Sequence, residues 1–334
     1  MGNVAILTLV MTDKIVARIL REIGVEHLLE VLGEKLAPTD LQSLLLAVFR
    51  RRAGHQTPQR VLEQYEHNAF VRPALVDVTA LLELDRLALD LAVPPFEPIE
   101  LSPLAPLGTS SALAPVDQNK VVTTIRNTEV VSDSTNVLAL ECALRRRAQR
   151  KRATYSQDVV RLCASHRLVR AQRYTQPNLR AHFRMFTLCT AGRDDAEGKF
   201  VASALSEQLG FYLRYLAAVE ERGYHLSGVR VTFTPLAGER EREHLQQQVM
   251  SPLAEPFPAF RLELDPNPTT TPGYYGLVRF QVYATDSQGV EYMIGDGGFN
   301  DWTQKLLSDR RERLLTSGIA TERLATLFRT SAAE

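Results

Sequence analysis

Over residues 12–92 the apolar positions recur at helical spacing. Ile15, Ile19, Leu20, Ile23, Leu28, Leu29 and Leu32 make the first stripe, with Gly24 as a break. Thr39-Asp40 offers a cap for a second helix, residues 41–52, predicted to bury Leu44, Leu45, Val48 and Phe49. Thr57-Pro58 opens a third helix through Val61, Leu62 and Tyr65. Pro73 opens a fourth, residues 73–92, with a stripe of Val76, Leu81, Leu82, Leu84, Leu87 and Leu91. Pro94-Pro95 ends it, since neither proline can donate to a helix ladder. The opening run, residues 4–11, is apolar but too short for a membrane span. It reads as a buried strand or helix.

Beyond residue 95 the pattern shifts towards strands. Residues 96–101, 121–125, 130–131, 168–174, 183–190, 229–233, 260–264, 277–283 and 291–294 read as strands. A polar turn with Pro177-Asn178 joins the fourth and fifth of them. Helices are predicted from Asp133-Ser134-Thr135 to about residue 152, and over 197–221, 308–315 and 321–328. Strands and helices are mixed without regular alternation, which predicts an α+β fold with an antiparallel sheet. No internal repeat is visible.

Composition narrows the chemistry. The 334-residue chain is 45% apolar, a globular value, and its 39 Lys and Arg equal its 39 Asp and Glu. There is no global basic field to draw in DNA or RNA, so a nucleic-acid partner needs a local patch. The run Arg145 to Arg152 is the one basic cluster; it suits either RNA phosphates or the solvated end of a helix. Cys142, Cys163 and Cys189 form no paired motif, which predicts a reducing, cytoplasmic setting. The seven histidines lack metal-ligand spacing, and no glycine-rich phosphate loop occurs. Any bound nucleotide must be held by arginines and backbone groups.

Six segments together resemble the class II aminoacyl-tRNA synthetases, and specifically their histidyl branch. Helix 73–92 followed by an extended run to Pro103 is similar to motif 1. Val169-Arg170-Ala171-Gln172, with a return strand at Phe183, resembles motif 2, and Gly318-Ile319-Ala320-Thr321-Glu322-Arg323-Leu324 resembles motif 3. Gly273-Tyr274-Tyr275-Gly276, Gly297-Gly298-Phe299-Asn300-Asp301 and Val131-Ser132-Asp133-Ser134-Thr135 are similar to segments that mark the histidyl branch.

The resemblance implies a class II synthetase-like antiparallel sheet flanked by helices, in a catalytic domain spanning 73–334. A helical domain, 1–72, precedes it, and motif 1 implies a homodimer. ATP, with magnesium, is the implied cofactor, bound by Arg170, Gln172, Phe183, Glu322 and Arg323. Arg170 is expected on the α-phosphate and Arg323 on the γ-phosphate, since a guanidinium fork offers phosphate oxygens paired hydrogen bonds. His182 and Arg184 stand near enough in the sequence to touch a nucleotide or simply water.

An amino-acid substrate is implied at Arg126, Glu129, Asp133, Thr135, Tyr274, Tyr275, Gly297, Gly298 and Asp301, with Asp133 on the substrate ammonium. Read as residues alone, Arg126 pairs equally well with Glu129 or Asp133 to hold a loop. The tyrosines equally suit a core, and the glycines a tight turn. The departures are informative. Thr270 stands where the branch has its catalytic arginine, Phe299 and Asn300 replace an Arg-Tyr pair, and Gln172 replaces an acid. No anticodon-binding domain is expected after motif 3. Two functions therefore follow from the resemblance. One is an adenylate-forming ligase whose acceptor is a carrier protein, an enzyme partner or RNA other than ordinary cognate tRNA. The other is a non-catalytic regulatory subunit that binds an amino acid or nucleotide. Neither involves a membrane.

Overall fold

The computed structural model describes residues 14–329, apart from 154, 156, 173, 175–179, 196–197 and 267–273. The apolar run 4–11, Thr270 and the turn at Pro177-Asn178 lie outside the described residues. The chain divides into two compact units, residues 1–64 with 124–127, and residues 65–123 with 128–334.

The first unit is helical. Residues 14–22 form one helix, α1 (Pro38–Gly54) another, and α2 (Pro58–His67) begins in this unit. Proline opens both α1 and α2, where its missing N–H costs nothing. The stripe in α1 does not form a core as expected: Leu44, Val48 and Phe49 all stay exposed, and Leu45 is only half-buried. Periodicity gives a helix an apolar side; it does not supply the surface to cover it.

The second unit carries the sheet. Its strands are β1 (Glu97–Pro98), a separate ribbon of β2 (Leu104–Pro106) and β3 (Thr128–Val130), then β4 (Val160–Val169), β5 (His182–Arg193), β6 (Ser227–Pro235), β7 (Arg261–Leu264), β8 (Val278–Thr285), β9 (Glu291–Asn300) and β10 (Glu312–Ile319). Among the described residues the main sheet has eight strands, ordered β1-β4-β5-β10-β9-β8-β6-β7. The six central strands pair antiparallel, and only the two edge strands, β1 and β7, pair parallel. Its main helices are α3 (Val78–Ala92), α4 (Ser134–Gln149), α5 (Lys199–Glu220), α6 (Trp302–Leu307) and α7 (Thr321–Leu327), with shorter ones at Thr109–Leu113, Glu239–Leu245 and Ser251–Ala254. No helix among the described residues is long and apolar enough to cross a membrane.

Several boundaries differ from the sequence reading. The fourth helix starts at Val78, not Pro73, because the Asp77 carboxylate accepts from Ala80 N–H at 3.0 Å and caps it there. Residues 308–315 were expected to be helical, yet Glu312–Ile319 is the strand between β5 and β9. The charged residues 309–313 look like a solvated helix, but partners on both edges and burial on both faces override that propensity. The helix lies just upstream, as α6. The strand predicted at 168–174 is the end of β4, which stops at Val169.

Alternation along the strands splits the sheet into two faces. Phe186, Leu188, Phe280, Val282 and Ile319 share the apolar face, under α3 and α5. Phe211 of α5 stacks on Phe186 at 5.5 Å between centroids. The buried hydroxyls find partners: Tyr212 meets Ser317 Oγ at 2.7 Å, and Tyr215 donates to the Leu84 carbonyl at 3.2 Å. The opposite face is covered in part: Ala105 and Val131 pack on Leu168 near the end of β4, and α4 covers a second stretch. There Leu138, Ala139 and Cys142 of α4, with Trp302, cover Leu162, Ala164, Cys189 and Leu314.

The basic run near the end of α4 mostly serves this packing. Arg146 is fully buried and grips Glu312 through two bonds, 3.0 and 2.9 Å. Arg145 pairs with Glu97 and Glu141, and Arg150 donates to the Leu307 carbonyl. Arg184, open in the sequence between a nucleotide and water, pairs with buried Asp85 at 2.9 Å. His182 bonds Arg167 at 3.0 Å and the Arg72 carbonyl at 2.7 Å.

The Arg146–Glu312 pair gives a direct test. Arg146→Met strands a buried carboxylate and is expected to cost about 3–5 kcal/mol, most of it recovered when Glu312→Leu is added. Urea unfolding of the single and double variants measures both effects.

Candidate functional site

Where α4 and α6 leave the sheet uncovered, a cavity of about 370 Å³ opens over β5, β10 and β9. Its floor is Met185 and Thr187 of β5, Thr316 and Gly318 of β10, and Asp296 of β9. The register explains the set. Gly318 stands opposite both Thr187 and Asp296, so all three point away from the apolar core.

Asp133 caps α4 and faces the cavity at once. Its Oδ1 accepts from Thr135 N–H at 3.0 Å and from Thr135 Oγ1–H at 2.7 Å, which ties half of the carboxylate to the first turn. Its Oδ2 accepts from the Tyr274 hydroxyl at 3.1 Å. A helix N-terminus favours this anion, so the charge can be kept beside the cavity at low cost.

Tyr274 and Tyr275 form the wall. Their rings meet edge to face at 4.7 Å, and Tyr274 also packs on Trp302 at 5.4 Å. Tyr275 donates to Asp296 Oδ2 at 3.4 Å. Burial, then the nearby aspartate charges, push both phenols well above their ordinary range, so each remains a donor. The ring of Tyr275 can lie here only because residue 298 lacks a side chain. A Cβ at Gly298 would sit 2.5 Å from Tyr275 Cδ1 and 2.6 Å from the Val278 carbonyl. Gly297 does the same on the core side, where a Cβ would fall 2.5 Å from both Phe280 and Ser317.

Arg170 follows β4 directly. Its Nε donates to the Ser132 carbonyl at 3.2 Å, and its guanidinium lies over the Phe183 ring at 5.0 Å. Backbone bond and ring together hold the cation against the cavity. Gln172 also lines it and is bonded to Tyr174. Lys120 lines it too, with its carbonyl accepting from Ala171 N–H at 2.9 Å.

The structure thus brings Asp133, Thr135, Arg170, Gln172, Tyr274 and Tyr275 to one cavity. Phe183, Gly297 and Gly298 support it from outside. The other expected residues are not brought there. Glu129 is buried in a pocket of its own. It accepts from Gly108 N–H at 2.8 Å, Ser110 N–H at 2.9 Å, Ser110 Oγ at 2.8 Å and Gln118 at 3.1 Å. Burial opposes its charge, but these donors outweigh burial and hold its carboxyl below the ordinary range. Arg126 is exposed on the segment 124–127, which belongs to the first unit. Asp301 is half exposed and pairs with Lys305 at 2.9 Å, one turn along α6.

Of the motif 3 segment Gly318 is in the floor, but Glu322 and Arg323 sit outside the cavity lining. Glu322 pairs with Arg167 at 2.8 Å and accepts from Arg184 N–H at 3.1 Å, fastening α7 to the sheet. Arg323 donates to the carbonyl of Met293, and it is Met293 that lines the cavity. Burial draws the Arg323 pKa below its ordinary value.

Asp296 and Arg279 line the cavity and escaped the sequence reading. Asp296 directly precedes Gly297-Gly298, and strand alternation extended back from Gly298 would have put it on the same face. Arg279 lies opposite Gly298 on β8 and so shares that face.

No protein-family model and no curated protein matches the sequence. Solved structures do match. Apo histidyl-tRNA synthetase of S. aureus aligns over 74% of this chain and 64% of its own length, at 14% identity and TM-score 0.51. An ATP phosphoribosyltransferase regulatory subunit/histidyl-tRNA synthetase from Bacillus halodurans C aligns over 76% of this chain and 80% of its own, at 16% identity and TM-score 0.51. A histidine–tRNA ligase subunit from Alicyclobacillus acidocaldarius covers 76% of this chain and 94% of its own, at 13% identity and TM-score 0.51. The fold is class II synthetase-like, with a central sheet flanked by helices, as the motifs implied. The chain spans somewhat less than two thirds of the staphylococcal enzyme.

Two measurements test the local architecture. Gly298→Ala should displace the Tyr275 ring and cost about 1–3 kcal/mol, as overpacking does. Gly276→Ala, with open space at its Cβ, serves as the control in thermal melts. For Glu129 the folded pKa is lowered, so its stabilisation is present above the ordinary carboxylate value of 4.5 and lost as pH falls through the folded value. Acid titrations of stability should show that loss in the wild type and a flatter profile in Glu129→Gln.

Proposed function

We propose that this chain binds ATP and an amino acid in the cavity, forms an aminoacyl adenylate, and passes the acyl group to an acceptor other than ordinary cognate tRNA. One observation carries the reading: a cation clamped on an aromatic ring, Arg170 on Phe183, shares a cavity with the capped carboxylate of Asp133.

The donor set fits both ligands. Arg170, Lys120 and Arg279 supply positive charge for phosphates, and Asp133 supplies the counter-charge for an ammonium group. The amino-acid carboxylate attacks the α-phosphorus, an oxygen–phosphorus bond forms, and pyrophosphate leaves with the electron pair of the bond that breaks. Arg170 offsets the charge that grows on the phosphoryl oxygens. Gln172 offers a neutral amide to the same ligand. No group of three metal-ligating side chains occurs among the described residues. Magnesium would therefore arrive on the triphosphate, held mainly by phosphate oxygens and water.

The reading includes a homodimer through the motif 1 region, supported by exposed Leu75, Val78 and Leu82 on one side of α3 and its lead-in. The acceptor is a carrier protein, an enzyme partner or RNA. Arg147, Lys151 and Arg152, the exposed remainder of the basic run, are the side chains left for RNA.

A second reading has its own support. Arg323 is engaged with the Met293 carbonyl, and Thr270 replaces the arginine of the branch, so the site is short of phosphate-binding charge. A regulatory subunit that binds an amino acid without activating it accommodates both facts. ATP–pyrophosphate exchange across the twenty amino acids separates the two. The ligase reading expects exchange with one amino acid, lowered about tenfold or more by Arg170→Ala through loss of a charge-assisted contact. No exchange, together with thermal stabilisation by a free amino acid, would favour the subunit.

A further inference from the structure

Asp296 has no task in the chemistry just described. It lies on the cavity face of β9, opposite Gln281 of β8, and shares the cavity with Asp133. Each aspartate accepts from one tyrosine hydroxyl: Asp133 from Tyr274 at 3.1 Å, Asp296 from Tyr275 at 3.4 Å. The two rings touch, so two carboxylates are presented along one aromatic wall.

Two carboxylates in one recess need cations, because an uncompensated buried charge is costly. The ammonium group of an amino acid answers only one of them. Arg279, on the same face of β8, offsets part of the other. A bound triphosphate, however, competes with Asp296 for Arg279 as well as for Arg170 and Lys120. With nucleotide in place, the amino-acid side of the cavity is left short of positive charge. Burial pushes the Asp296 carboxyl above its ordinary range, Arg279 pulls it down, and Asp133 pushes it up again. An added cation is what would keep it ionised.

We infer that Asp296 selects the substrate side chain, and that the cavity takes an amino acid ending in an ammonium or guanidinium group. The inference rests on the amino-acid reading above. The methylene stem of such a side chain would run along the Tyr274–Tyr275 wall while its charged end meets Asp296.

Thermal-shift titrations of the full chain with ATP present test this. Lysine and arginine are compared with the neutral analogues norleucine and citrulline, and with histidine. Lysine or arginine should bind about tenfold or more tightly than its neutral analogue, the size of one charge-assisted contact. Asp296→Asn should abolish that preference. Because the wild-type comparison alone decides the sign, a poorly folding variant does not protect the idea. Equal or tighter binding of norleucine, citrulline or histidine overturns the role of Asp296 while leaving the amino-acid site standing. So does an unchanged preference in folded Asp296→Asn. A response to ATP with none to any amino acid overturns the inference and the amino-acid reading together.

Discussion

Burial of one face of the sheet decides which side chains meet on the other. Phe186, Leu188, Phe280 and Ile319 are driven under α3 and α5, and strand alternation leaves no choice for their neighbours. Thr187, Gly318, Asp296 and Arg279 must then face the opposite side. A slip of one residue in β9 would send Asp296 into the core and Gly297 into the cavity. The core under α5 is therefore the constraint that assembles the polar site, although none of its residues touches that site's ligand space.

The opposite face is only half covered, and the coverage is what creates a cavity. α4 packs Leu138, Ala139 and Cys142 over one end and stops at the cap residue Asp133. A single residue thus ends the helix, satisfies its first turn and turns charge towards the open part of the sheet. The glycines at 298 and 318 keep the cavity side low, so the Tyr275 ring and Met185 can lie against backbone, and Gly297 makes the matching room for Phe280 on the core side. Ion pairs, one buried and one partly exposed, do the remaining positioning. Arg146–Glu312 fixes α4 to β10, and Arg167–Glu322 fixes α7 to the sheet. The buried Arg146–Glu312 pair contributes less to net stability than to holding one arrangement, since both its charges are desolvated.

These placements bear on chemistry. A capped aspartate, a ring-clamped arginine and a tyrosine wall form a recess suited to a zwitterion beside a phosphate. The motif 3 arginine is instead tied to the backbone carbonyl of the lining residue Met293 and does not line the cavity itself. That contrast is why adenylate formation and simple ligand sensing both remain readings of one site, and why the second aspartate matters: it concerns which side chain is held, under either reading. The matched structures share the fold at 13–16% identity, so their activities enter only as proposals.

The sequence by itself determined the elements whose signals are local. The α+β class, the long α5, the strand around residues 229–233, the cap at Asp133 and the motif residues Arg170, Tyr274 and Tyr275 were legible from periodicity, capping chemistry and short motifs. The strand at 312–319 was not, because its charged start imitates a solvated helix and only neighbours on both edges make it extended. Glu129 and Arg126 looked like partners from their spacing, yet the donors that hold Glu129 come from residues 108–118, and Arg126 belongs to another unit. Asp296 was passed over because the predicted strand, 291–294, stops two residues short of it; the register against β8 and β10 gives it a direction. Local propensity is written along the chain, whereas the company a charge keeps is set by which strand faces and helix ends come together in three dimensions.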